Sequence, residues 1–567
     1  MTTPRIIARQ VPPAALDVLM EAGIPPVLAA VYAARGVAQP AQLDTALAGL
    51  VPMERLLHCG TMAQRLADAI EQGKRLLIVA DYDADGATAC AVGMTALLAM
   101  GARVNYLVPN RFEDGYGLTP EIVRQAAPLG ADILITVDNG IASVEGVDEA
   151  ARCGMEVLIT DHHLPGESLP RAACIVNPNQ PGCDFPSKHL AGVGVMFYVM
   201  LGLRAELRRR GAFGERNEPI LADLLDLVAL GTVADVVRLD DNNRILVDQG
   251  LRRIRAGRAR PGINALLRIA GRDPLRASAY DLGFAAGPRL NAAGRLTDMR
   301  LGIECLLAGD PIQAAQLASQ LDALNRERRE IEAGMQESAL ASLDRVEAAD
   351  SFTLSVYDPA WHQGVIGILA ARLRERFHRP VIAFAPAGDG EAKGSGRSIR
   401  GLHLRDALDL VAKRHPGLIL RFGGHAAAAG LSIRVDDIPR FREAFEQVVA
   451  GLLTPADLER LIETDGPLLP VDLDLALAEA IEGQVWGQGF LAPTFHDRFE
   501  VEGQRVVGGN HVKARLRHGH RLVEAMRFGD PAPLPGRIEA VYRVQVNEYN
   551  GTRSLQLVIE HWQPAKN

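Results

Sequence analysis

From residue 74 onward the chain alternates short apolar runs with helical stretches. LLIVAD (76–81), RVNYLVPN (103–110), DILITVD (132–138), MEVLITD (155–161) and ACIVNP (173–178) read as strands, separated by helices such as 87–100 and 120–128. Strands spaced this way predict βαβ units and a doubly wound parallel sheet, an α/β fold. Upstream, residues 1–50 read as short amphipathic helices broken by Pro12-Pro13 and Pro25-Pro26. Downstream, 220–237 is a strongly apolar helix ending near Gly231. The stretch 311–346 reads as one long helix, with Asp310 as N-cap and Pro311 at its first position. Its apolar residues Leu317, Leu321, Leu324, Ile331 and Met335 share one face, and the charged NRERREIE run (325–332) is expected outside. Such a helix spans roughly 54 Å and suits a connector between two lobes. A second, smaller α/β segment opens with FTLSVYD (352–358) and continues to about 450. From 495 to 563, short alternating strands with turns at Gly508-Gly509-Asn510 and Tyr549-Asn550-Gly551 predict a small β-barrel or sandwich.

Length and composition narrow the class. The 567 residues are 48% hydrophobic and 23% charged, enough for several buried cores and unlike a disordered chain. No apolar run is long enough to span a membrane, and MTTPRIIARQV lacks the apolar core of a signal peptide, so a cytoplasmic protein is expected. Six scattered cysteines without a C-x-x-C pair argue against a zinc ribbon or disulfide framework. The net charge of −8 argues, taken globally, against a nucleic-acid partner. Its distribution changes that picture. Between Arg252 and Arg276 stand eight arginines (252, 253, 255, 258, 260, 268, 272, 276) and one acid, Asp273, a local +7 that reads as a DNA contact or as a solvated face. Residues 451–490 carry one basic residue, Arg460, against eight acids.

Three strands end in aspartate: Asp81, Asp138 and Asp161. An open parallel sheet gathers its strand ends at one crevice, where ligands bind. A single such Asp is an ordinary helix N-cap, but these have companions. Asp81-Tyr82-Asp83-Ala84-Asp85-Gly86 sets three acids on a tight turn, and Asp161-His162-His163 sets two imidazoles after a strand. Carboxylates with histidine and no thiolate form a ligand set for Mn²⁺ or Mg²⁺, and so much negative charge in one crevice calls for cations. An EF-hand loop fails because its twelfth position is Val92 where a bidentate Glu is needed. Asp83-Ala84-Asp85-Gly86-Ala87-Thr88 is similar to the aspartyl-phosphate motif of haloacid-dehalogenase phosphatases, whose required lysine could only be Lys188.

DYDADGAT (81–88), TVDNG (136–140), TDHH (160–163) and GTVAD (231–235) resemble the four motifs of the DHH phosphoesterases. VPNRFEDGYGL (108–118), LAGVGV (190–195), GPRLNAAGRL (287–296), WHQGVIGI (361–368), GSGRS (394–398) and GGHAAAAG (423–430) narrow the resemblance to the RecJ family of single-strand-specific 5′→3′ DNA exonucleases. The resemblance implies a DHH domain joined by a long helix to a smaller DHHA1 domain, with a C-terminal OB-fold barrel. The expected division is an N-terminal helical segment (1–50), a DHH catalytic domain (51–240), a helical region with the connector (241–349), a DHHA1 domain (350–450), and an acidic segment with the OB-fold (451–567). It also implies two Mn²⁺ or Mg²⁺ ions held by Asp81, Asp83, Asp138, His162 and Asp235, with Asp138 bridging. Asp85, Asp161 and His163 match positions that support the site or the scissile phosphate. Arg238 stands where the family usually has proline, and HVKARLR (511–517) is a loose version of the barrel motif.

GSGRS and RFGGHAAAAG read as glycine-rich turns, whose bare N–H groups beside an arginine can form a phosphate nest. The resemblance implies that Arg111, Arg289, Asn291, Arg295, Ser395, Arg397 and His425 bind the DNA and its 5′-phosphate, which would set the polarity. In the barrel, Lys513, Arg515, Tyr542 and Tyr549 are candidates for tracking a single strand. The expected partners are single-stranded DNA and a single-stranded-DNA-binding protein, with no membrane, for a monomer acting in recombination and repair. Two alternatives are a DHH phosphodiesterase of small nucleotides or nanooligonucleotides and a catalytically inactive scaffold that binds single-stranded DNA. The connector and barrel weigh against the first, and the intact acid and histidine set against the second.

Overall fold

The computed structural model describes residues 4–110, 117–214, 217–343, 351–549 and 551–565. The chain forms two compact units: Ala8–Asp322 with Glu463–Asn567, and Ala323–Ile462 with Met1–Ile7. The N-terminal segment is not purely helical. It contains a strand, β1 (Arg5–Ala8), before α1 (Pro13–Glu21) and α2 (Pro26–Ala33), each of which begins on the second proline of its pair. Proline lacks an N–H that the first helical residue would leave unpaired anyway, so these pairs start helices and do not break them.

After α3 (Cys59–Glu71) comes an all-parallel sheet of β2 (Arg75–Ala80), β3 (Arg103–Leu107), β4 (Ile133–Val137), β5 (Glu156–Thr160) and β6 (Cys174–Val176), the expected five. Its order is β3-β2-β4-β5-β6. Leu77, Val79, Leu134, Val157 and Ile159 pack on one face against residues of α5 (Pro120–Ala126) and α6 (Val144–Arg152). On the other face Ile78 approaches Gly93 of the helix that follows β2, Ala84–Ala99. Cover on both faces explains why these strands read as unbroken apolar runs. The chain leaves β2 for β3 on one side while β4 lies on the other, so the order reverses between β2 and β4. Strand ends at such a switch point open a crevice that no crossover fills.

The helical region contains α7 (Gly192–Arg209), α8 (Leu225–Ala234), α9 (Asp241–Arg255), α10 (Pro261–Ile269), a turn of helix at Ala279–Asp281 running into a π-turn at Leu282–Ala286, and then helices Gly287–Leu296 and Arg300–Leu307. The apolar helix expected to end near Gly231 runs past it, because Gly231 sits inside α8 where a Cβ would strike Thr88 Oγ1. The long helix extends over Pro311–Leu343, and Asp310 Oδ2 accepts the Gln313 N–H at 2.9 Å as the expected N-cap. Its charged run is only partly outside. Asn325, Arg328 and Glu332 are buried; Arg328 donates to Asn325 at 2.6 Å and Glu332 at 2.8 Å, and Arg372 reaches Glu332 at 3.0 Å. Burial of these charges is tolerable because each has an opposite partner.

The second unit has a mixed sheet. Its strands Arg421–Gly424, Ala428–Arg434, Glu391–Arg397, Val381–Gly388 and Leu354–Tyr357 lie in that spatial order, with only the last two parallel. Helices Leu404–Arg414 and Ile438–Ala450 cover the Ile382, Phe384, Leu431 and Ile433 face, and Ile366–Phe377 packs on Val381 and Ala383. The acidic 451–490 stretch resolves into separate structural uses. Asp457 caps a turn with Thr454, Asp465 pairs with Arg9 at 3.1 Å and Arg35 at 2.6 Å, Asp474 caps helix Leu475–Glu482, and Glu482 accepts the Val546 N–H at 2.8 Å.

Residues 495–564 form a closed five-stranded barrel of Phe495–Val507, His511–His518, Arg521–Arg527, Thr552–Pro564 and Arg537–Tyr549, in that spatial order. Of the two barrel aromatics named as DNA candidates, Tyr542 is fully buried, its hydroxyl donating to Asp497 Oδ2 at 2.7 Å. It is a core residue and cannot stack a base. The Tyr549 side chain lies outside the described residues. Lys513 and Arg515 do project outward, alternating with buried Val512, Ala514 and Leu516. Phe528, 56% exposed beside His511, is an outward aromatic that strand alternation did not single out.

Candidate metal centre

The three strand-end aspartates and their companions meet where the strand order reverses. The turn after β2 is already helical. Asp83 is the N-cap of α4 (Ala84–Ala99), its Oδ1 accepting the Asp85 and Gly86 N–H groups at 2.9 and 3.1 Å. The helix therefore begins three residues earlier than the apolar pattern indicated, and its first turn carries Asp85. That carboxylate is buried and accepts the Gly192 and Val193 N–H groups at 2.7 and 2.8 Å, so it sits on the N-terminus of α7. Unpaired N–H groups and the helix dipole favour a carboxylate there.

Asp138 lies at the centre. Its backbone adopts φ +63°, left-handed and uncommon for a residue with a Cβ, a strain typical of positions fixed by function. The neighbouring Asn139 holds the turn by donating to the Val79 and Val137 carbonyls at 3.1 and 2.9 Å. Gly192 allows the close approach, since a Cβ there would lie 2.5 Å from Asp138 Oδ1. His162 Nε2 stands 3.1 Å from Asp138 Oδ1, 3.5 Å from Asp235 Oδ2 and 3.9 Å from Asp85 Oδ2. Three overlapping donor groups result, each with ligand atoms within 4.8 Å: Asp81, Asp83 and Asp138; Asp138, His162 and His163; Asp85, His162 and Asp235. Asp138 belongs to the acid group and to the histidine group. Its Oδ1 is shielded from solvent and, His162 Nε2 apart, meets no hydrogen-bond donor among the described residues. A buried oxygen left in that state costs free energy unless a cation takes it, and the all-oxygen-and-imidazole donor set fits Mn²⁺ or Mg²⁺.

The electrostatics agree. Burial first, then the charges of Asp85, Asp83, Asp81 and Asp235, hold Asp138 well above the usual carboxylate range. Burial, then the charges of Asp85, Asp83, Asp81 and Asp161, raise Asp235 well above that range too. Burial and Asp83 push Asp85 up to about 7 against the α7 amides. Asp161 behaves differently. Burial would raise it, yet the bond and charge of His163, with His162 and the Ile141 amide, hold it below its ordinary value. Its Oδ1 takes His163 Nδ1 at 2.8 Å and the His162 N–H at 2.7 Å, and its Oδ2 the Ile141 N–H at 2.9 Å. Asp161 is thereby a positioning residue. Burial lowers His163, but the Asp161 bond and the charges of Asp161, Asp81 and Asp83 outweigh it and push the imidazole up to about 9.

Sequence reasoning missed the asparagines behind the histidine pair. Asn177 donates to the His163 carbonyl at 2.9 Å and Asn179 to the His162 carbonyl at 2.6 Å. Their signal was available, a strand ending in Asn-Pro-Asn at 177–179. Lys188, the one lysine a haloacid-dehalogenase mechanism could use, is committed to the Pro178 and Cys183 carbonyls at 2.6 and 2.7 Å.

The expected DNA-binding residues fall into distinct settings. Arg111 lies outside the described residues. Asn291 accepts the Ala84 N–H at 2.8 Å, so it anchors the start of α4. Arg289 is buried, bonded to Asp322 at 2.9 and 2.8 Å and to the Ala285 carbonyl at 2.7 Å. Arg295, half-buried, lies about one turn beyond Asn291 on the same helix. In the second unit GSGRS is strand and not turn, while RFGGHAAAAG is two strands joined by a hairpin: a Cβ at Gly394 would meet Phe384 and Leu431 at 2.6 Å, and one at Gly396 would meet Ile382 at 2.6 Å. Ser395 and Arg397 alternate with these glycines and share the opposite face, against Gly367 in the first turn of helix Ile366–Phe377. His425 is exposed at the hairpin between the two neighbouring strands. The arginine run is the main departure: Arg253 pairs with Asp223, Arg260 with Asp226, Arg252 with Asp248, Arg272 with Asp281 and Arg276 with Glu548. Most of its local +7 is thus spent on acids outside the window.

A parallel sheet with this acid and histidine set at its switch point is the DHH class of fold and site. The family model described as DHH family, N-terminal domain, matches residues 75–232; the DHHA1 domain model matches 350–451 and the RecJ OB domain model 464–561. The chain belongs to the RecJ family. It is 54% identical over 95% of its length to the single-stranded-DNA-specific exonuclease RecJ of Dickeya dadantii, covering 96% of that protein. Two crystal structures of RecJ from Thermus thermophilus are similar to it over 99% of the chain. The complex with Mn²⁺ has TM-score 0.83, 29% identity and 80% of that chain covered; the complex with Mg²⁺ has TM-score 0.77, 28% identity and 78% covered.

Proposed function

We propose that this protein is a Mn²⁺- or Mg²⁺-dependent exonuclease that hydrolyses single-stranded DNA from the 5′ end to mononucleotides. The observation that carries the reading is the shared, unsatisfied carboxylate of Asp138 between an acid group and a histidine group. Asp81, Asp83, Asp138, His162 and Asp235 would hold the ions. Bound there, two divalent cations supply Lewis acidity, lowering the pKa of a water and neutralising charge on the phosphoryl and leaving oxygens. The remaining work belongs to the chain. Asp161 commits His163 Nδ1, so Nε2 is the atom that carries a proton toward a phosphoryl or leaving oxygen, and the Asp161 carboxylate favours the charged imidazole. Asp85 locks α7 so that Gly192 stays against Asp138.

Ser395, Arg397 and His425, with Arg111, Arg289, Asn291 and Arg295, are read as the groups that meet the 5′-phosphate and backbone. An Arg397 fork beside a serine hydroxyl and the first turn of a helix suits a phosphate. Anchoring that end while the metal centre cuts inward would give 5′→3′ polarity. Lys513 and Arg515 would track the strand on the barrel. The domain division at 51–240, 350–450 and 451–567 then separates cutting, phosphate holding and strand tracking. The reading also carries a role in recombination and repair in the cytoplasm, as a monomer working beside a single-stranded-DNA-binding protein. No helix among the described residues is long and apolar enough to cross a membrane.

The test uses single-stranded DNA labelled at either end, with Mn²⁺, for the wild type and Asp138→Ala. Mononucleotides released from the 5′ end, with activity lost by at least ~10³-fold in the variant, are expected. Digestion from the 3′ end, equal attack on blunt duplex, or activity surviving in the variant would overturn the reading.

A further inference from the structure

Two aromatic rings stand on the surface of a segment that packs against α8. Tyr280 and Phe284 are 51% and 65% exposed and stack on each other, centroids 4.6 Å apart and planes 22° from parallel. They sit on the segment where the helical turn Ala279–Asp281 widens into the π-turn Leu282–Ala286, a rare geometry that recurs at functional sites. Gly283, between them, presses on α8: a Cβ there would lie 3.0 Å from Val233 Cγ1, and one at Gly287 would lie 3.1 Å from Ala234 Cβ. The next residue along is Asp235. The segment that displays the rings is therefore packed on the last turn of the helix that delivers a carboxylate to the donor cluster. Arg272, half-exposed, pairs at 3.2 Å with Asp281, which lies between the two ring-bearing residues in sequence. The helix that follows carries Arg289, Asn291 and Arg295.

We infer that Tyr280 and Phe284 form a stacking platform for a base of the single-stranded substrate, an inference that rests on the exonuclease reading above. Every nucleobase has a π-face, so such a platform grips without reading sequence, as digestion of any strand requires. A base inside a duplex already spends both faces on its neighbours, so the platform also favours an unpaired strand. It is a specificity element on the segment packed against α8.

The experiment uses the full-length protein with Mn²⁺ and a 20-nucleotide strand whose phosphorothioate linkages resist cleavage. A single 2-aminopurine is walked along it, since stacking quenches its fluorescence. In the wild type one position is expected to be quenched, and Tyr280→Ala with Phe284→Ala should relieve it and weaken binding by about tenfold or more. On ordinary single-stranded DNA the same variant should raise KM more than it lowers kcat. Both rings are exposed, so melting temperature and Mn²⁺ affinity should stay at the wild-type values. Phe284→Trp should keep the affinity and Phe284→Leu should lose it. Binding within twofold of wild type in the double variant, or full affinity in Phe284→Leu, overturns the platform and leaves the exonuclease reading standing. A wild type that neither binds nor degrades single-stranded DNA overturns both.

Discussion

Two charged regions look equally conspicuous along the chain and fold into opposite situations. The acids at 81–85, 138, 161 and 235 converge with few counter-charges, and burial and mutual repulsion raise Asp138, Asp85 and Asp235 above the carboxylate range. The arginines of 252–276 spread along α9, α10 and the following loop, where acids more than twenty residues away in sequence meet several of them. Arg253 finds Asp223, Arg260 finds the fully buried Asp226, and Arg276 finds Glu548. A folded protein retains uncompensated buried charge only where something else supplies the compensation. The acid cluster is thereby a place for cations, and most of the arginine run is scaffold.

That contrast can be broken at several points. After the loss expected of Asp138→Ala, the largest effect belongs to Gly192→Ala, which inserts a methyl 2.5 Å from Asp138 Oδ1. Exonuclease activity should fall by about 10²-fold, with a stability cost of about 1–3 kcal/mol; unchanged steady-state kinetics would mean that Asp138 can retreat freely. Next, Arg260→Ala strips the counter-charge from Asp226 and should cost about 3 kcal/mol in denaturant unfolding while leaving DNA affinity as it was. A drop in affinity there would return the arginine run to the DNA path.

The acid cluster has its own titration. Asp85, Asp138 and Asp235 bind protons more tightly folded than unfolded, so their contribution to stability is present below the ordinary carboxylate pKa. It is lost as pH rises through their raised values, about 7 for Asp85. Cation-free protein should therefore lose several degrees of melting temperature between pH 5 and pH 8 from this cluster, and saturating Mn²⁺ should remove that slope. Binding of Mn²⁺ near pH 6 should release protons, visible by calorimetry in buffers of different ionisation enthalpy. The smallest effect belongs to Arg252→Ala: its pair with Asp248 is half in water, so stability should change by no more than about 1 kcal/mol, with the salt dependence of DNA binding unaltered.

Much of this arrangement was legible because strand periodicity and strand-end acids are local signals. The five parallel strands, the barrel, the Asp310 cap and most of the acid and histidine set follow from patterns a few residues long, whereas Asp235 was implied only by the resemblance of GTVAD (231–235). What escaped depends on long-range packing. The glycines at 394 and 396 read as a turn, yet they are strand residues that make room for Phe384 and Ile382. Tyr542 read as a base-stacking ring, but barrel closure places it inward on Asp497. The charged stripe of the long helix read as solvated, while Arg372, forty residues on from Glu332, buries part of it. Asp161 was expected to support the site, but how it does so appears only in its four internal contacts, which aim His163.

The position of the donor set at the ends of β2, β4, β5 and α8 has a consequence for biosynthesis. No segment shorter than about 155 residues contains all of the donors from Asp81 to Asp235, and none of the local fragments holds more than part of one coordination shell. An emerging or damaged chain that lacks any one of these elements cannot bring all three donor groups together, so a two-cation centre built this way would wait for the whole sheet. Cation uptake then reports the integrity of the whole domain, and the hazard of a half-made enzyme loose among exposed DNA strands is removed by topology alone.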